Sequence, residues 1–197
     1  MMRKYNNWLI TGDMDTGKTD IIISELKNLI KKESSNFIIV ENDDYIHDNL
    51  QSIFNEYEYK IIVIRPFLFE NKLQIHDLLN EKGLDTNTLN EKYVVFIKNN
   101  TNKQTSMTED IINYFSKISD YNKEVNNKKD MYFILDQANR LYIENIINAM
   151  KGFKFHNKKH FILSMLSINQ LFEMGINNPE KLSIFDKQTH LTKRIGD

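Results

Sequence analysis

Residues 12–19 read Gly-Asp-Met-Asp-Thr-Gly-Lys-Thr, and this stretch decides the fold. It matches the pattern G-x-x-x-x-G-K-[ST] at every fixed position. An apolar run, Trp8-Leu9-Ile10, precedes it, and apolar residues at helical spacing follow from Ile21 onward. A glycine-rich turn between a strand and a helix directs main-chain N–H groups toward an anion at the positive end of the helix. The stretch therefore predicts a site for the phosphates of a nucleotide.

The fixed positions of this loop have distinct chemical roles. Lys18 is expected to reach the β- and γ-phosphates, and Thr19 is expected to hold Mg²⁺. The alternative is a chance glycine turn before a helix, and the agreement of motif, strand and helix argues against it. Asp13 and Asp15 would weaken phosphate binding unless their side chains face solvent, as we expect. The predicted nucleotide-binding residues are Gly12, Asp13, Met14, Asp15, Thr16, Gly17, Lys18 and Thr19.

On either side of the loop, short apolar runs alternate with amphipathic stretches through all 197 residues. Strands that are apolar throughout and alternate with helices indicate a mostly parallel sheet covered on both faces. We predict one α/β domain over residues 1–197, with a three-layer P-loop NTPase fold. The predicted strands cover residues 7–11, 37–41, 60–65, 93–98, 131–136, 161–165 and 188–192. The predicted helices cover residues 22–30, 44–56, 71–80, 108–121, 139–150 and 168–174, and surface loops are predicted at 99–108 and 122–129.

Composition excludes several classes of protein. Apolar residues make up 41% and charged residues 27% of the chain, as in ordinary globular proteins. There is no cysteine, so disulfides and thiolate metal sites are excluded. No apolar run approaches the ~20 residues that cross a bilayer, and no signal-peptide pattern is present, so we expect a cytoplasmic protein. A net charge of −1 gives no overall attraction to nucleic acid.

A second acidic motif ends the run Met131-Tyr-Phe-Ile-Leu-Asp136. An aspartate at the end of such a strand is expected to lie beside the phosphate loop and to position Mg²⁺ through water. The alternative is a cap on a helix beginning near Ala138, and both roles can hold together. Thr19 and Asp136 are therefore the predicted metal residues.

Gln137 occupies the position where many P-loop ATPases carry a glutamate that activates water. A neutral amide can orient water but cannot accept its proton. The predicted catalytic set, Lys18, Asp136 and Gln137, should therefore hydrolyse ATP slowly unless another carboxylate substitutes. The candidates for that carboxylate are Glu41, Asp43 and Asp44, at the end of the second predicted strand.

The order of these motifs resembles the HerA/FtsK superfamily, and within it the ATPase domain of type IV coupling proteins (the TraG/TraD type). The resemblance implies a hexameric, ATP-driven DNA pump. The family's catalytic glutamate corresponds to Gln137 and its γ-phosphate-sensing glutamine to Leu166, so this chain departs from the family at both positions. Small viral genome-packaging ATPases of the same superfamily are the alternative, which would make the protein virion-associated. Besides the loop, the stretches that carry the resemblance are Phe37-Ile-Ile-Val-Glu-Asn-Asp43, Tyr59-Lys-Ile-Ile-Val-Ile-Arg-Pro66, Tyr132-Phe-Ile-Leu-Asp-Gln-Ala-Asn-Arg-Leu141 and Phe161-Ile-Leu-Ser-Met-Leu-Ser-Ile-Asn-Gln-Leu171.

Other charged residues suggest partners. The segment from Lys151 to His160 combines lysines, histidines and phenylalanines, a composition that binds nucleic-acid backbone and stacks bases. The alternative is a solvated loop after a helix C-terminus. Arg140 and Arg194 are candidate arginine fingers for a neighbouring subunit's nucleotide, or else surface charges. The remaining histidines, His47, His76 and His190, are scattered singly and indicate no metal site.

Three functions fit these features. The first is a homo-oligomeric ATPase that moves DNA, with ATP and Mg²⁺ as its cofactors. The second is a switch or assembly factor that binds ATP with little hydrolysis, which Gln137 and Leu166 favour. The third is a kinase, ranked last because the stretch after residue 100 lacks an arginine-rich lid.

Overall fold

The computed structural model describes residues 7–32, 35–65, 91–98, 129–138, 159–167, 169, 183 and 185–192. In chain order the elements within these ranges are β1 (Asn7–Gly12), α1 (Lys18–Lys32), β2 (Ser35–Glu41), α2 (Tyr45–Glu56), β3 (Lys60–Ile64), β4 (Tyr93–Lys98), β5 (Asp130–Leu135), β6 (Lys159–Met165) and β7 (Lys187–Leu191). All seven predicted strands are confirmed, each within two residues of its predicted limits.

The strands form one sheet in the order β3-β4-β2-β5-β6-β1-β7, and every pair is parallel. Since the strands are parallel, their carboxyl ends meet at one edge of the sheet. Strand β6 lies between β1, which leads into the phosphate loop, and β5, which leads to Asp136. The register pairs Ile10 with Ser164 and Leu135 with Leu163, so these three strands end level with one another.

The sheet is the middle layer of the domain. Every residue of β1, β2, β4 and β6 is buried, which requires cover on both faces. In β7, at one end of the strand order, residues alternate between half-buried and exposed. The predicted three-layer α/β P-loop fold with a parallel sheet is therefore confirmed.

Both described helices belong to one apolar cluster with the sheet. In α1 the buried residues include Ile22, Leu26 and Ile30, and in α2 they are Ile46, Leu50 and Phe54. These four-residue intervals place each set on one stripe of its helix. Through these stripes both helices pack against the sheet. Both helices begin at the edge of the sheet where the strands end.

The structure corrects one sequence prediction at the start of β6. The strand was predicted to begin at residue 161 but begins at Lys159, so Lys159 and His160 are strand residues with 1% exposure each. His160 stacks on Tyr132 and lies 3.2 Å from a carboxylate oxygen of Asp130. These two residues are therefore not part of a solvated DNA-binding segment. The sequence suggested otherwise because lysine and histidine are usually exposed.

Several other predictions concern parts of the chain that the structure does not describe. These are the helices at 71–80, 108–121 and 139–150, most of the helix at 168–174, the whole surface loop at 99–108, most of the loop at 122–129, residues 151–158, His76, Arg140 and Arg194. Neither of the two described helices is long and apolar enough to cross a membrane.

Candidate nucleotide-binding site

The phosphate loop joins β1 to α1 through two glycines that the geometry requires. A Cβ atom on Gly12 would lie 2.6 Å from the carbonyl oxygen of Leu191 and 2.7 Å from Oγ1 of Thr16. Gly17 has a φ of +78°, in the left-handed region that glycine adopts without strain. The first helical hydrogen bond runs from the N–H of Ile21 to the carbonyl of Gly17. The N–H groups that precede Ile21 in the first turn of α1 therefore make no helical hydrogen bond, and an anion can accept hydrogen bonds from them.

Lys18 begins α1 and is folded back onto its own loop. Its Nζ donates to the carbonyl oxygens of Gly12 at 2.7 Å and Asp13 at 2.5 Å. Burial lowers the pKa of Lys18, while the carboxylates of Asp136, Asp13 and Asp15 oppose that shift. The ammonium group thus already lies inside the loop, where it can turn to a phosphate.

The side chains of the other loop residues divide into two groups. Asp13, Met14 and Asp15 are exposed, and Asp15 has a φ of +58°. Thr16 is half-buried and donates from Oγ1 to the carbonyl of Asp13 at 2.8 Å, which closes the turn. The acidic side chains therefore face solvent, and the main chain forms the inner surface of the loop.

Asp136 lies next to the loop and is held by two hydroxyl groups. Thr19 donates from Oγ1 to Oδ2 of Asp136 at 2.9 Å. Ser164 donates from Oγ to Oδ1 at 2.5 Å. Burial raises the pKa of Asp136, and Asp43 raises it further, whereas the two hydroxyl donors and the N–H of Gln137 lower it. The two carboxylate oxygens thus have different partners.

The residues around Asp136 fit a magnesium ion by their chemistry. Mg²⁺ prefers oxygen ligands, keeps several waters, and is usually bound through one or two carboxylates together with substrate phosphates. Thr19 and Asp136 supply a hydroxyl and a carboxylate in contact with each other. In the described part of the chain no group of three or more histidines, cysteines, aspartates or glutamates could hold a metal ion. This donor set suits a cation that arrives with a nucleotide.

Gln137 follows Asp136 in a constrained conformation. Its φ is +53°, a region that few residues other than glycine adopt. Its N–H donates to Oγ of Ser164 at 2.8 Å, and its Oε1 accepts from Nδ2 of Asn42 at 3.3 Å. The ends of β2, β5 and β6 therefore meet at this residue.

Glu41, one of the three candidates for a substitute general base, makes structural contacts through both of its carboxylate oxygens. It is fully buried, and its Oε2 accepts the N–H groups of Ile46 at 2.9 Å and His47 at 3.3 Å at the start of α2. Its Oε1 accepts from Lys98, which also lies 2.6 Å from Oδ1 of Asp44. The hydrogen bond that Lys98 donates to Asp44 lowers the pKa of the Asp44 carboxyl. Asp43 remains exposed beside the site.

Three residues of this region were not predicted from the sequence: Asn42, Lys98 and Ser164. Ser164 and Lys98 could have been noticed, because each is a polar residue within or at the end of an otherwise apolar run. Asn42 carries no comparable signal. Leu166, which the resemblance compares with a γ-phosphate-sensing glutamine, is half-buried, and its carbonyl accepts the N–H of Gly12 at 3.3 Å.

No family model matches this chain, and no curated protein matches it. Among solved structures, it is similar to the ORC2 protein of Aeropyrum pernix in its ADP form, with 14% identity and a TM-score of 0.36 over 93% of this chain. A chain of Drosophila ORC bound to DNA has 16% identity and a TM-score of 0.33, covering 90% of this chain and 95% of the other.

A third similar structure comes from the PezAT chromosomal toxin-antitoxin system of Streptococcus pneumoniae. It has 15% identity and a TM-score of 0.28, covering 93% of this chain and 80% of the other. The present chain spans about half the length of the Aeropyrum pernix ORC2 chains that it matches, at 50% and 49%. The finer resemblance to the HerA/FtsK superfamily stays a prediction.

Proposed function

We propose that this chain binds ATP with Mg²⁺ through residues 12–19 and Asp136, hydrolyses it slowly, and acts as a nucleotide-dependent switch. The observation that carries this proposal is the 2.9 Å contact between Thr19 and Asp136. It joins a phosphate-binding loop to a buried carboxylate, the pairing that a nucleotide-bound Mg²⁺ requires. Slow turnover suits a switch, because the bound state then lasts long enough to be recognised by a partner.

Different residues of the site bind the phosphates, the metal ion and the attacking water. The N–H groups at the start of α1 donate hydrogen bonds to the phosphate oxygens, and Lys18 turns from its loop carbonyls to the β- and γ-phosphates. Thr19 and Asp136 would hold Mg²⁺, and the ion would supply positive charge to offset the negative charge of the phosphates. Gln137 orients the attacking water.

We expect slow hydrolysis because most groups near the site are not available to accept a proton from water. The side chain of Gln137 cannot accept a proton, and Glu41 is engaged by Lys98 and the start of α2. Asp44 is also bound to Lys98. Asp43 is exposed, and its Oδ1 accepts the N–H of Tyr45 at 3.1 Å. It is therefore the remaining candidate for a general base.

The second candidate function is the DNA-translocating motor that the HerA/FtsK resemblance implies. In its favour, β2 and β5, the two strands with acidic ends on which the resemblance partly rests, are neighbours in the sheet. This function requires a homo-oligomer, such as a hexamer, and a DNA-binding surface. Of the segment from Lys151 to His160, only residues 151–158 can still supply that surface, because Lys159 and His160 are buried.

One experiment separates these functions. ATP turnover is measured with and without single- and double-stranded DNA, and solution mass is measured with each addition. Tight Mg²⁺-dependent binding with slow, DNA-independent turnover supports the switch. Turnover that DNA stimulates in a ring-sized assembly supports the motor. Failure to bind ATP or GTP in any condition contradicts both proposals.

A further inference from the structure

Ser164 is buried within β6 and has two partners at the candidate site. It is fully buried between Leu163 and Met165 in the strand. Its Oγ accepts the N–H of Gln137 at 2.8 Å and donates to Oδ1 of Asp136 at 2.5 Å. A serine hydroxyl has one proton. Because the contact with the N–H uses a lone pair, that proton is committed to Asp136.

This arrangement fixes the direction of the Asp136 carboxylate. The terminal torsion of an aspartate is broad, so the side chain by itself does not select which oxygen faces a ligand. Ser164 takes Oδ1 on the β6 side, which leaves Oδ2 facing Thr19. The hydroxyl is itself anchored by the main chain of Gln137, so its own orientation is determined.

We propose that Ser164 is a positioning residue that directs one oxygen of Asp136 toward Thr19 for Mg²⁺ binding. The inference rests on the proposed function. Residues that hydrogen-bond to a metal ligand orient it, and removing them costs about 10–100-fold in metal affinity. Ser164 acts through Asp136 and does not itself need to contact the nucleotide.

The test compares Ser164→Thr with Ser164→Val, two side chains of the same shape of which only threonine has a hydroxyl. Nucleotide affinity is measured over a range of Mg²⁺ concentrations and in EDTA. We expect the Mg²⁺ concentration at half-saturation to rise about tenfold or more in Ser164→Val relative to Ser164→Thr. Affinity in EDTA should be equal in the two variants, because the phosphate loop is unchanged.

Two further measurements separate positioning from a general effect on the sheet. As a control, Ser35→Ala removes a buried hydroxyl at the start of β2, the end of the strand away from the candidate site, where Ser35 pairs with Asp130. This variant should leave the Mg²⁺ dependence unchanged. In the nucleotide-free protein, hydrogen exchange at the Gln137 amide should be faster in Ser164→Val than in Ser164→Thr, because its acceptor is lost.

The outcomes are distinct. Equal Mg²⁺ dependence in the valine and threonine variants overturns the inference, and so does an equal loss of affinity with and without Mg²⁺ in the valine variant alone. If the valine variant does not fold, Ser164→Ala replaces it in the same comparison. Failure of the proposed function is recognised separately, since the unmodified protein would then bind no nucleotide.

Discussion

Oγ1 of Thr19 lies 2.9 Å from Oδ2 of Asp136, although 117 residues separate them in the chain. The contact joins the end of the phosphate loop to the end of β5 across the intervening strand β6. Both atoms are oxygen donors of the kind that Mg²⁺ prefers. The hydroxyl can serve a cation by turning its proton away and presenting a lone pair.

Replacing Lys18 tests the phosphate site. Lys18→Ala removes the ammonium group that now donates to the carbonyls of Gly12 and Asp13. We expect a loss of about 2–4 kcal/mol in MgATP binding, as for a desolvated charged contact. Calorimetry measures the affinity, with Lys31→Ala in the exposed last turn of α1 as the control. Unchanged affinity in Lys18→Ala would exclude the phosphate-site assignment.

Replacing Asp136 tests its predicted role in holding Mg²⁺. Asp136→Asn keeps the shape but removes the charge, so Mg²⁺-dependent nucleotide binding should weaken by tenfold or more, in line with loss of an ionic ligand. Binding measured in EDTA should fall less. This difference is the criterion, and equal losses in both conditions would contradict a metal role for Asp136.

We also expect Asp136→Asn to change how the free energy of unfolding depends on pH. Burial raises the pKa of Asp136 above its ordinary value of 3.8. As pH rises from that value to the raised pKa, the unfolded state loses this proton while the folded state keeps it, so this group makes the free energy of unfolding decrease. Without nucleotide, Asp136→Asn should therefore be more stable than the unmodified protein at neutral pH, and the gain should vanish near pH 3. Urea denaturation at several pH values measures it, and a gain that grows on acidification would contradict the prediction.

Gln137→Glu tests the cause of slow turnover. If residue 137 lies beside the attacking water, restoring a carboxylate should raise turnover, since general-base catalysis is typically worth ~10²–10⁴-fold. The gain should fall at the low end, because Leu166 has no polar group to sense the γ-phosphate. Asn42 donates to the amide oxygen of Gln137 and can donate equally to a carboxylate. Brisk turnover in the unmodified protein without acceleration in the variant would direct attention to Asp43, with Asp43→Asn as the next measurement.

Lys98 should be necessary for stability because it is 2% exposed and bound to the fully buried Glu41. Lys98→Met leaves that carboxylate without its cation, and breaking a buried pair in this way costs about 3–5 kcal/mol in the free energy of unfolding. Lys98→Met combined with Glu41→Gln should cost less, since the amide oxygen can still accept from the start of α2. Urea denaturation compares the two, with the exposed Lys32→Met as the control. A double variant less stable than Lys98→Met would contradict this account.

The motor candidate predicts DNA binding by the segment before β6. Replacing Lys154 and Lys158 with alanine should reduce the slope of log affinity against log salt by up to about two contacts. Lys159 is buried, so it should not contribute to this slope. Filter binding over a salt series measures it. An unaltered slope in the double variant would assign residues 154 and 158 to a solvated surface.

The sequence by itself determined the glycine-containing turn between β1 and α1 and the identity of the strands. The loop is a contiguous stretch whose geometry depends on local torsions, above all at Gly17, and on the strand and helix that flank it. The strands could be predicted because a buried parallel strand is apolar along its whole length. Both signals lie within a few neighbouring residues, so they can be read without knowledge of the rest of the chain.

Only the tertiary structure decided which strand ends meet and which polar groups they bring together. Ser164 contacts Asp136, Asn42 contacts Gln137, and Lys98 is buried against Glu41 because β6, β5, β2 and β4 lie side by side in the sheet. That order results from strand pairing between distant segments, which no local pattern encodes. It removed Glu41 from the candidate bases and Lys159 from the candidate DNA contacts, because burial depends on neighbours that are remote in the sequence.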